Sequence, residues 1–292
     1  MILIDGKKTA ADIRAELKFE IDKLKQAGKK TPGLVTILVG NNPASAIYVS
    51  SKGKACQEIG MITKSEKHPD TISEKELLEL VESYNNNPDY HGILVQLPLP
   101  EHIDEGKVIE MISPQKDVDG FHPVSVGNLV IGKDTFASCT PAGIQELLIR
   151  YGIETEGKHV VVLGRSNIVG KPIANIMLQK KKFANSVVTI CHSAAKDVSY
   201  FTKQADILIA AIGRADFVKG DMVKDGVVVI DVGINRVEDK SKPKGYRICG
   251  DVDFENVSKK ASYITPVPGG VGPMTIAMLL KNTFKAYLKY GI

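Results

Sequence analysis

The sequence predicts an α/β protein of two domains, each built on a parallel sheet. Three observations carry this reading. Short apolar runs alternate with amphipathic stretches from end to end, which is the grammar of βαβ units. The alternation is broken once, over 113–141, by a stretch rich in Gly, Pro, Asp and Ser; long irregular segments inside compact proteins are functional or linking. The chain has 292 residues, about twice a usual domain length.

Each element follows from its pattern. Residues 9–27 place Ile13, Leu17, Ile21 and Leu24 on one helical stripe. LVTILVG at 34–40 reads as a buried strand that runs into a Gly-Asn-Asn-Pro turn. Residues 44–59 and 73–86 read as helices, and GILVQLPLP at 92–100 as a strand that ends at proline. After the irregular stretch comes a helix over 141–151. A second series of strands follows, at 159–164, 186–192, 206–213 and 227–235. The Gly-Pro segment TPVPGGVGP then leads into a last helix, 273–290.

Composition excludes several classes. Apolar residues make up 43% and charged residues 25%, values that belong to globular chains rather than collagen, disordered or disulfide scaffolds. No run of about 18 apolar residues is present, so no membrane span is expected. The apolar stretch in MILIDGKK is too short for a signal peptide, and a cytoplasmic location is expected. The net charge of +4 comes almost wholly from lysines spread along the chain, with six arginines and no Trp. A nucleic-acid groove would cluster basic residues around aromatics, so no nucleic-acid partner is expected. Lys180–Lys182 reads as a solvated helix end. The four cysteines form no C-x-x-C pair and the six histidines no i,i+4 pair. Reduced thiols and no metal are therefore expected. His122 beside Asp119 reads as a solvated loop pair.

The second series carries a dinucleotide-binding look. VVVL runs straight into GRSNIVGKP, residues 164–172, and then into a helix. Glycines let backbone approach a pyrophosphate, whose charge a helix N-terminus favours. The spacing from Gly164 to Gly170 is not the G-x-G-x-x-G fingerprint, and an ordinary strand–turn–helix connection remains open. The next strand ends TICHS, at His192 and Ser193, where an NAD enzyme usually carries a ribose-binding carboxylate. Without that carboxylate, and with the planar fork of Arg165 in the phosphate loop, a bound dinucleotide would be NADP rather than NAD. His192 reads as positional.

In the first half, Tyr48 and Lys52 stand four apart on one helix face. Gly53 beside them costs about 1 kcal/mol in a helix interior, as though something packs close to Lys52. Gln96 sits at the C-terminal end of a strand, where open α/β sheets bind ligands. Asp117 and Asp119 lie in the irregular stretch that follows.

Seven motifs occur in a fixed order: YVSSKGKACQEIG (48–60), VQLPLP (95–100), KDVDGFHP (116–123), GRSNIVGKP (164–172), DVGIN (231–235), GDVDF (250–254) and PVPGGVGPMTIAML (266–279). Together they resemble the bifunctional methylenetetrahydrofolate dehydrogenase/methenyltetrahydrofolate cyclohydrolase family over nearly the whole chain. The resemblance implies a cytoplasmic homodimer of one-carbon metabolism that acts on tetrahydrofolate derivatives with NADP. It implies a discontinuous folate domain, 1–140 completed by the C-terminal helix at 272–292, around a Rossmann-type NADP domain at 141–271. By position, Lys52 matches the catalytic lysine and Tyr48 the tyrosine that stacks on the folate. Gln96 matches the residue that tunes the lysine, and Asp119 the carboxylate that holds the pterin. Pro268, Gly269, Gly270 and Val271 fall in a folate-contacting segment. Gly164 belongs to the phosphate loop, and Arg165, Ser166, Ser193 and Ile234 match cofactor contacts. Ser125, Ser138 and Ala195 depart from the family's usual residues, and none of them removes a proposed catalytic group.

The implied chemistry suits these residues. Hydride leaves the one-carbon bridge for NADP while the adjacent nitrogen stabilises the methenyl cation, so orientation is the main requirement. Water then attacks the cation, and Lys52 is the group placed to move the proton. Two rivals stand beside this reading: a shikimate-type NADP dehydrogenase and a non-catalytic NADP-sensing regulator. The Pro-Gly-Gly-Val-Gly-Pro segment and the Tyr48/Lys52 pair speak against the first. The complete Tyr–Lys–Gln–Asp set speaks against the second.

Overall fold

In the computed structural model the chain is described at residues 1–241 and 245–291. It divides into two compact units, Met1–Ala10 with Thr140–Thr275, and Ala11–Cys139 with Ile276–Ile292. The first half of the chain holds β1 (Ile2–Leu3), α1 (Gly6–Gln26), β2 (Gly33–Val39), α2 (Pro43–Ile59), β3 (Ile62–His68), α3 (Glu74–Asn85), β4 (Gly92–Val95), α4 (Glu105–Met111) and α5 (Pro123–Val130). The second holds α6 (Cys139–Arg150), β5 (His159–Leu163), α7 (Gly170–Leu178), β6 (Val187–Cys191), α8 (Val198–Thr202), β7 (Ile207–Ala210) and β8 (Val228–Asp231). The hairpin β9 (Asn235–Glu238) and β10 (Tyr246–Cys249), α9 (Phe254–Val257), β11 (Tyr263–Ile264) and α10 (Val271–Tyr290) complete it.

The unit of Ala11–Cys139 carries a three-stranded parallel sheet in the order β3-β2-β4. All seven residues of β2 are buried, as a central parallel strand covered on both faces requires. Val35, Ile37, Leu77, Val81, Ile93 and Val108 share the core on one face. Helix α2 starts cleanly because the Asn42 side chain accepts from the N–H of Ala44 and Ser45, with Pro43 as the next residue. It stops at Gly60, whose φ of 82° is the left-handed cap that suits glycine.

The other unit carries six parallel strands in the order β1-β11-β8-β7-β5-β6. Its core is built from Val161, Leu163, Leu208, Val229 and Ile264 with their neighbours. Strand β5 is followed in sequence by β6 on one side and then by β7 on the other. The order therefore reverses beside β5, and ligands of open α/β sheets bind at such switch points.

The structure departs from the sequence expectations in definite places. Residues 1–10, expected with the N-terminal half, join the six-stranded unit. Strand β1 pairs with β11, with Ile2 opposite Tyr263, and a Cβ on Gly6 would lie 1.8 Å from the carbonyl oxygen of Gly270. Strand β3 was not expected; its sequence ITKSEKH is largely polar because it is an edge strand. The strand expected over 92–100 ends at Val95. The irregular stretch contains helix α5, started by Pro123 and capped by His122, whose Nδ1 accepts from the Val124 N–H. His122 is thus buried and spent on a cap, not a solvated partner of Asp119. Lys180–Lys182 lie just beyond α7 and are exposed. All four cysteines are free and buried. Among the described residues no helix is long and apolar enough to cross a membrane.

Candidate active site and cofactor groove

Helix α2 presents Tyr48 and Lys52 one turn apart. Tyr48 is 44% exposed, an open aromatic surface, whereas Lys52 is only 7% exposed. A buried lysine needs a partner, and Lys52 Nζ donates to Gln96 Oε1 at 3.0 Å. Gln96 follows β4 directly, anchored by its N–H to the Ile37 carbonyl at 2.8 Å. Its own Nε2 donates to the Leu97 carbonyl at 2.8 Å. That bond leaves the amide oxygen as the end offered to Lys52. At Gly53 no protein atom crowds the helix; a Cβ would meet only Ser65 Oγ, at an ordinary 3.7 Å.

Asp119 is the third member. Burial pushes its carboxyl above the usual carboxylate range, while the Lys52 charge and a hydrogen bond with the Cys139 thiol pull it back. Part of its surface remains open. Its loop is fixed from two sides. The buried Asp117 accepts from the N–H of Gly120, Phe121 and His122 at 3.0–3.2 Å, and burial pushes it up to about 6. Asn282 of α10 donates through Nδ2 to the carbonyls of Val118 at 2.9 Å and Ala137 at 3.0 Å. Neither Asn282 nor Cys139 carried a sequence signal, because both act on a loop distant in the chain.

In the six-stranded unit, a groove is lined by the loops after β5, β6 and β7. It gathers Gly164, Arg165, Ser166, His192 and Ser193. Ser166 Oγ accepts from the N–H of Val169 and Gly170 at 3.2 and 3.3 Å, which closes the turn into α7. Glycine is required by packing: a Cβ on Gly164 would lie 2.2 Å from the Ala211 oxygen, and one on Gly170 2.2 Å from the Gly164 oxygen. The lining offers guanidinium, hydroxyl and imidazole groups and no carboxylate. That donor set fits a dinucleotide with a 2′-phosphate. Arg214 and Phe217, which sequence reasoning missed, line the same groove. For Arg214 a signal was present: Gly213-Arg214 comes three residues after β7, as Gly164-Arg165 comes directly after β5; Phe217 carried none.

Ile234 and Pro268–Val271 meet in a second pocket of this unit, beside Asp231. Two buried aspartates lock its walls. Asp231 accepts from the N–H of Gly233, Asp251 and Val252 at 2.9–3.0 Å. Asp251 accepts from the N–H of Ile212, Gly213 and Arg214 at 2.7–2.9 Å and from Asn235 Nδ2 at 2.9 Å. A Cβ on Gly250 would lie 1.8 Å from Asp231 Oδ2, and one on Gly233 2.2 Å from Asp251 Oδ1. The DVGIN and GDVDF motifs interlock through these contacts. Burial, opposed by those N–H bonds and aided by the Asp251 charge, pushes Asp231 up to about 7. Among the described residues no group of three or more His, Cys, Asp or Glu is placed to hold a metal ion.

Comparison with known proteins matches both parts of the chain. Residues 4–119 match the family model "Tetrahydrofolate dehydrogenase/cyclohydrolase, catalytic domain", and residues 138–290 match its NAD(P)-binding domain. The bifunctional protein FolD of Chloroherpeton thalassium is 58% identical over 289 residues, 98% of each chain. The bifunctional FolD methylenetetrahydrofolate dehydrogenase/cyclohydrolase of Campylobacter jejuni superposes with a TM-score of 0.92 at 51% identity, over 98% of each chain. The Trypanosoma brucei dehydrogenase-cyclohydrolase, solved with NADP cofactor and an inhibitor, does so with 0.92 at 40% identity, over 99% of this chain and 98% of its own.

Proposed function

The chain belongs to the tetrahydrofolate dehydrogenase/cyclohydrolase family, and from that membership we propose that Tyr48, Lys52, Gln96 and Asp119 serve both of its reactions in one pocket. The protein oxidises 5,10-methylenetetrahydrofolate to the 5,10-methenyl compound with NADP and hydrolyses that product to 10-formyltetrahydrofolate. The observation that carries the residue assignment is the buried Lys52–Gln96 hydrogen bond, with Asp119 within reach of the Lys52 charge.

Bound NADP supplies the hydride acceptor for the first reaction. The chain's own part is to bind and orient. The exposed Tyr48 ring offers a stacking face for the pterin. Asp119 offers oxygens to the donor edge of the ring system. Arg165, Ser166 and Ser193 hold the cofactor's phosphates in the other unit, where Ile234 and Pro268–Val271 line the second pocket. Orientation is enough for hydride transfer, since the substrate nitrogen stabilises its own cation. The hydrolytic reaction needs a proton carrier. Water attacks the methenyl carbon and loses a proton, the carbon–nitrogen bond breaks, and the leaving nitrogen gains a proton. Lys52 Nζ carries that proton, and Gln96, its amide fixed by Leu97, holds the amine in place. In this reading residues 1–140 and 272–292 form the folate side and 141–271 the NADP side, apart from β1, which belongs to the latter's sheet. The protein is further read as a cytoplasmic homodimer on family grounds, which a sedimentation mass would check.

One pocket for two reactions makes a sharp demand. An unreactive tetrahydrofolate should inhibit the NADP-linked oxidation and the hydrolysis of supplied methenyl substrate with the same inhibition constant. Clearly different constants would mean two sites and would end the assignment.

A further inference from the structure

We propose that Arg214 is a second selector of NADP, joining Arg165 on the 2′-phosphate. The proposal rests on the cofactor groove assigned above and deepens it. Arg214 lies in the loop after β7 and lines the groove together with Arg165, Ser166 and Ser193. Both guanidinium side chains belong to exposed residues, and no Asp or Glu is among the residues that line the groove. Two arginines elsewhere have partners: Arg150 pairs with Glu146 and Arg247 with Asp216. That last pair matters, because Asp216 stands two residues from Arg214. Tied to Arg247 at 2.6 Å, it does not neutralise the groove. Two guanidinium groups lining one groove, with no Asp or Glu in its lining, create a positive potential suited to a doubly charged anion. A 2′-phosphate is such an anion.

The loop is set before any ligand arrives. The N–H groups of Ile212, Gly213 and Arg214 all donate to the buried carboxylate of Asp251. The guanidinium carbon then sits 4.6 Å from the centre of the Phe217 ring. That contact spends none of the guanidinium N–H donors, and a fork of such donors is how arginine binds phosphate. A side chain already held in this way loses little freedom on binding.

Titration calorimetry of the full chain with NADP⁺ and with NAD⁺ tests this. Arg214→Ala should weaken NADP⁺ binding roughly 10- to 100-fold, as expected for lost charged hydrogen bonds, and leave NAD⁺ binding unchanged. Arg214→Lys should keep part of the preference, since the charge stays and the fork is lost. The side chain is exposed and the loop is held through its backbone, so both variants should melt as the native protein does. An equal loss for NADP⁺ and NAD⁺ would overturn the proposal and make Arg214 a stacking partner of the adenine. No change for either would also overturn it. Equal affinity of the native protein for the two cofactors would instead sink the NADP assignment itself.

Discussion

Under the proposed assignment, single residues divide the two reactions between them. Lys52 is buried and bonded to Gln96, and its proposed part is proton transfer. Hydride transfer from the one-carbon bridge needs no such carrier. Lys52→Met should therefore lower the cyclohydrolase by about 10²- to 10⁴-fold, the usual cost of losing a general acid–base group. The dehydrogenase should fall less. Assaying the variant on supplied methenyl substrate and, separately, on the methylene compound gives the two numbers. An equal fall in both, with folate still bound, would make Lys52 an orienting group only. Arg165 is tested by a ratio. It shares its groove with Ser193 and no carboxylate, so Arg165→Ala should cut the specificity constant for NADP by about one to two decades, at roughly 1.5–3 kcal/mol per charged hydrogen bond. The constant for NAD should hold. If both constants fell together, Arg165 would merely brace its loop.

Elements position these residues, and the last helix contributes more than its apolar stripe suggests. Asn282 on α10 is buried and reaches the carbonyls of Val118 and Ala137, the chain on either side of the Asp119 segment. Asn282→Leu keeps the volume but takes a donor from the part-buried Ala137 carbonyl and leaves the buried Val118 carbonyl with only the weak Cys139 thiol. The expected cost is about 1–3 kcal/mol of stability, read by urea unfolding. The KM for folate should rise while NADP affinity stays, because the loosened loop carries Asp119. Unchanged KM with the full stability loss would show that Asp119 is placed by Asp117 alone. The same contrast explains what could be read from the sequence. Lys52 and Tyr48 were legible because helical spacing is local. Gln96 and Arg165 were legible because strand ends and the turns after them have a pattern. Helix α5 was hidden inside a Gly- and Pro-rich stretch, where Pro123 starts a helix rather than preventing one. Strand β3 was hidden by its polar edge position. The Asp231–Asp251 lock joins loops that are separate in the chain, and Asn282 joins α10 to a loop far before it. Such contacts leave no periodicity, so only the fold reveals them.

Each unit carries a buried aspartate whose carboxyl burial pushes well above the usual range, Asp117 in one and Asp231 in the other, and these shape the response to pH. The ordinary carboxyl value is 3.8; burial pushes Asp117 up to about 6 and Asp231 up to about 7. Each folded unit thus holds its proton more tightly than the unfolded chain does. The stability this contributes is complete below about pH 4 and is lost as pH rises through 6 for Asp117 and 7 for Asp231. Paired surface carboxylates act in the other direction. Asp134 beside Lys285 and Lys289, and Asp206 beside Lys224, are held below the usual range, and their contribution is lost as pH falls through that lowered range. Between pH 5 and 7 the surface carboxylates are already ionised in both folded and unfolded chains, so Asp231 should dominate in the six-stranded unit, whereas in the other unit His91, held down by burial, works against Asp117. Unfolding free energy of the six-stranded unit should therefore decline across this interval, by at most about 1.4 kcal/mol per pH unit for one proton. Asp231→Asn cannot ionise. It should start less stable, since an amide nitrogen would face an N–H that the carboxylate now accepts. Its decline from pH 5 to 7 should nevertheless be shallower by close to one proton's worth. Urea unfolding of both proteins at several pH values reads the two slopes, and equal slopes would mean that Asp231 is ionised throughout and that its three N–H donors outweigh its burial.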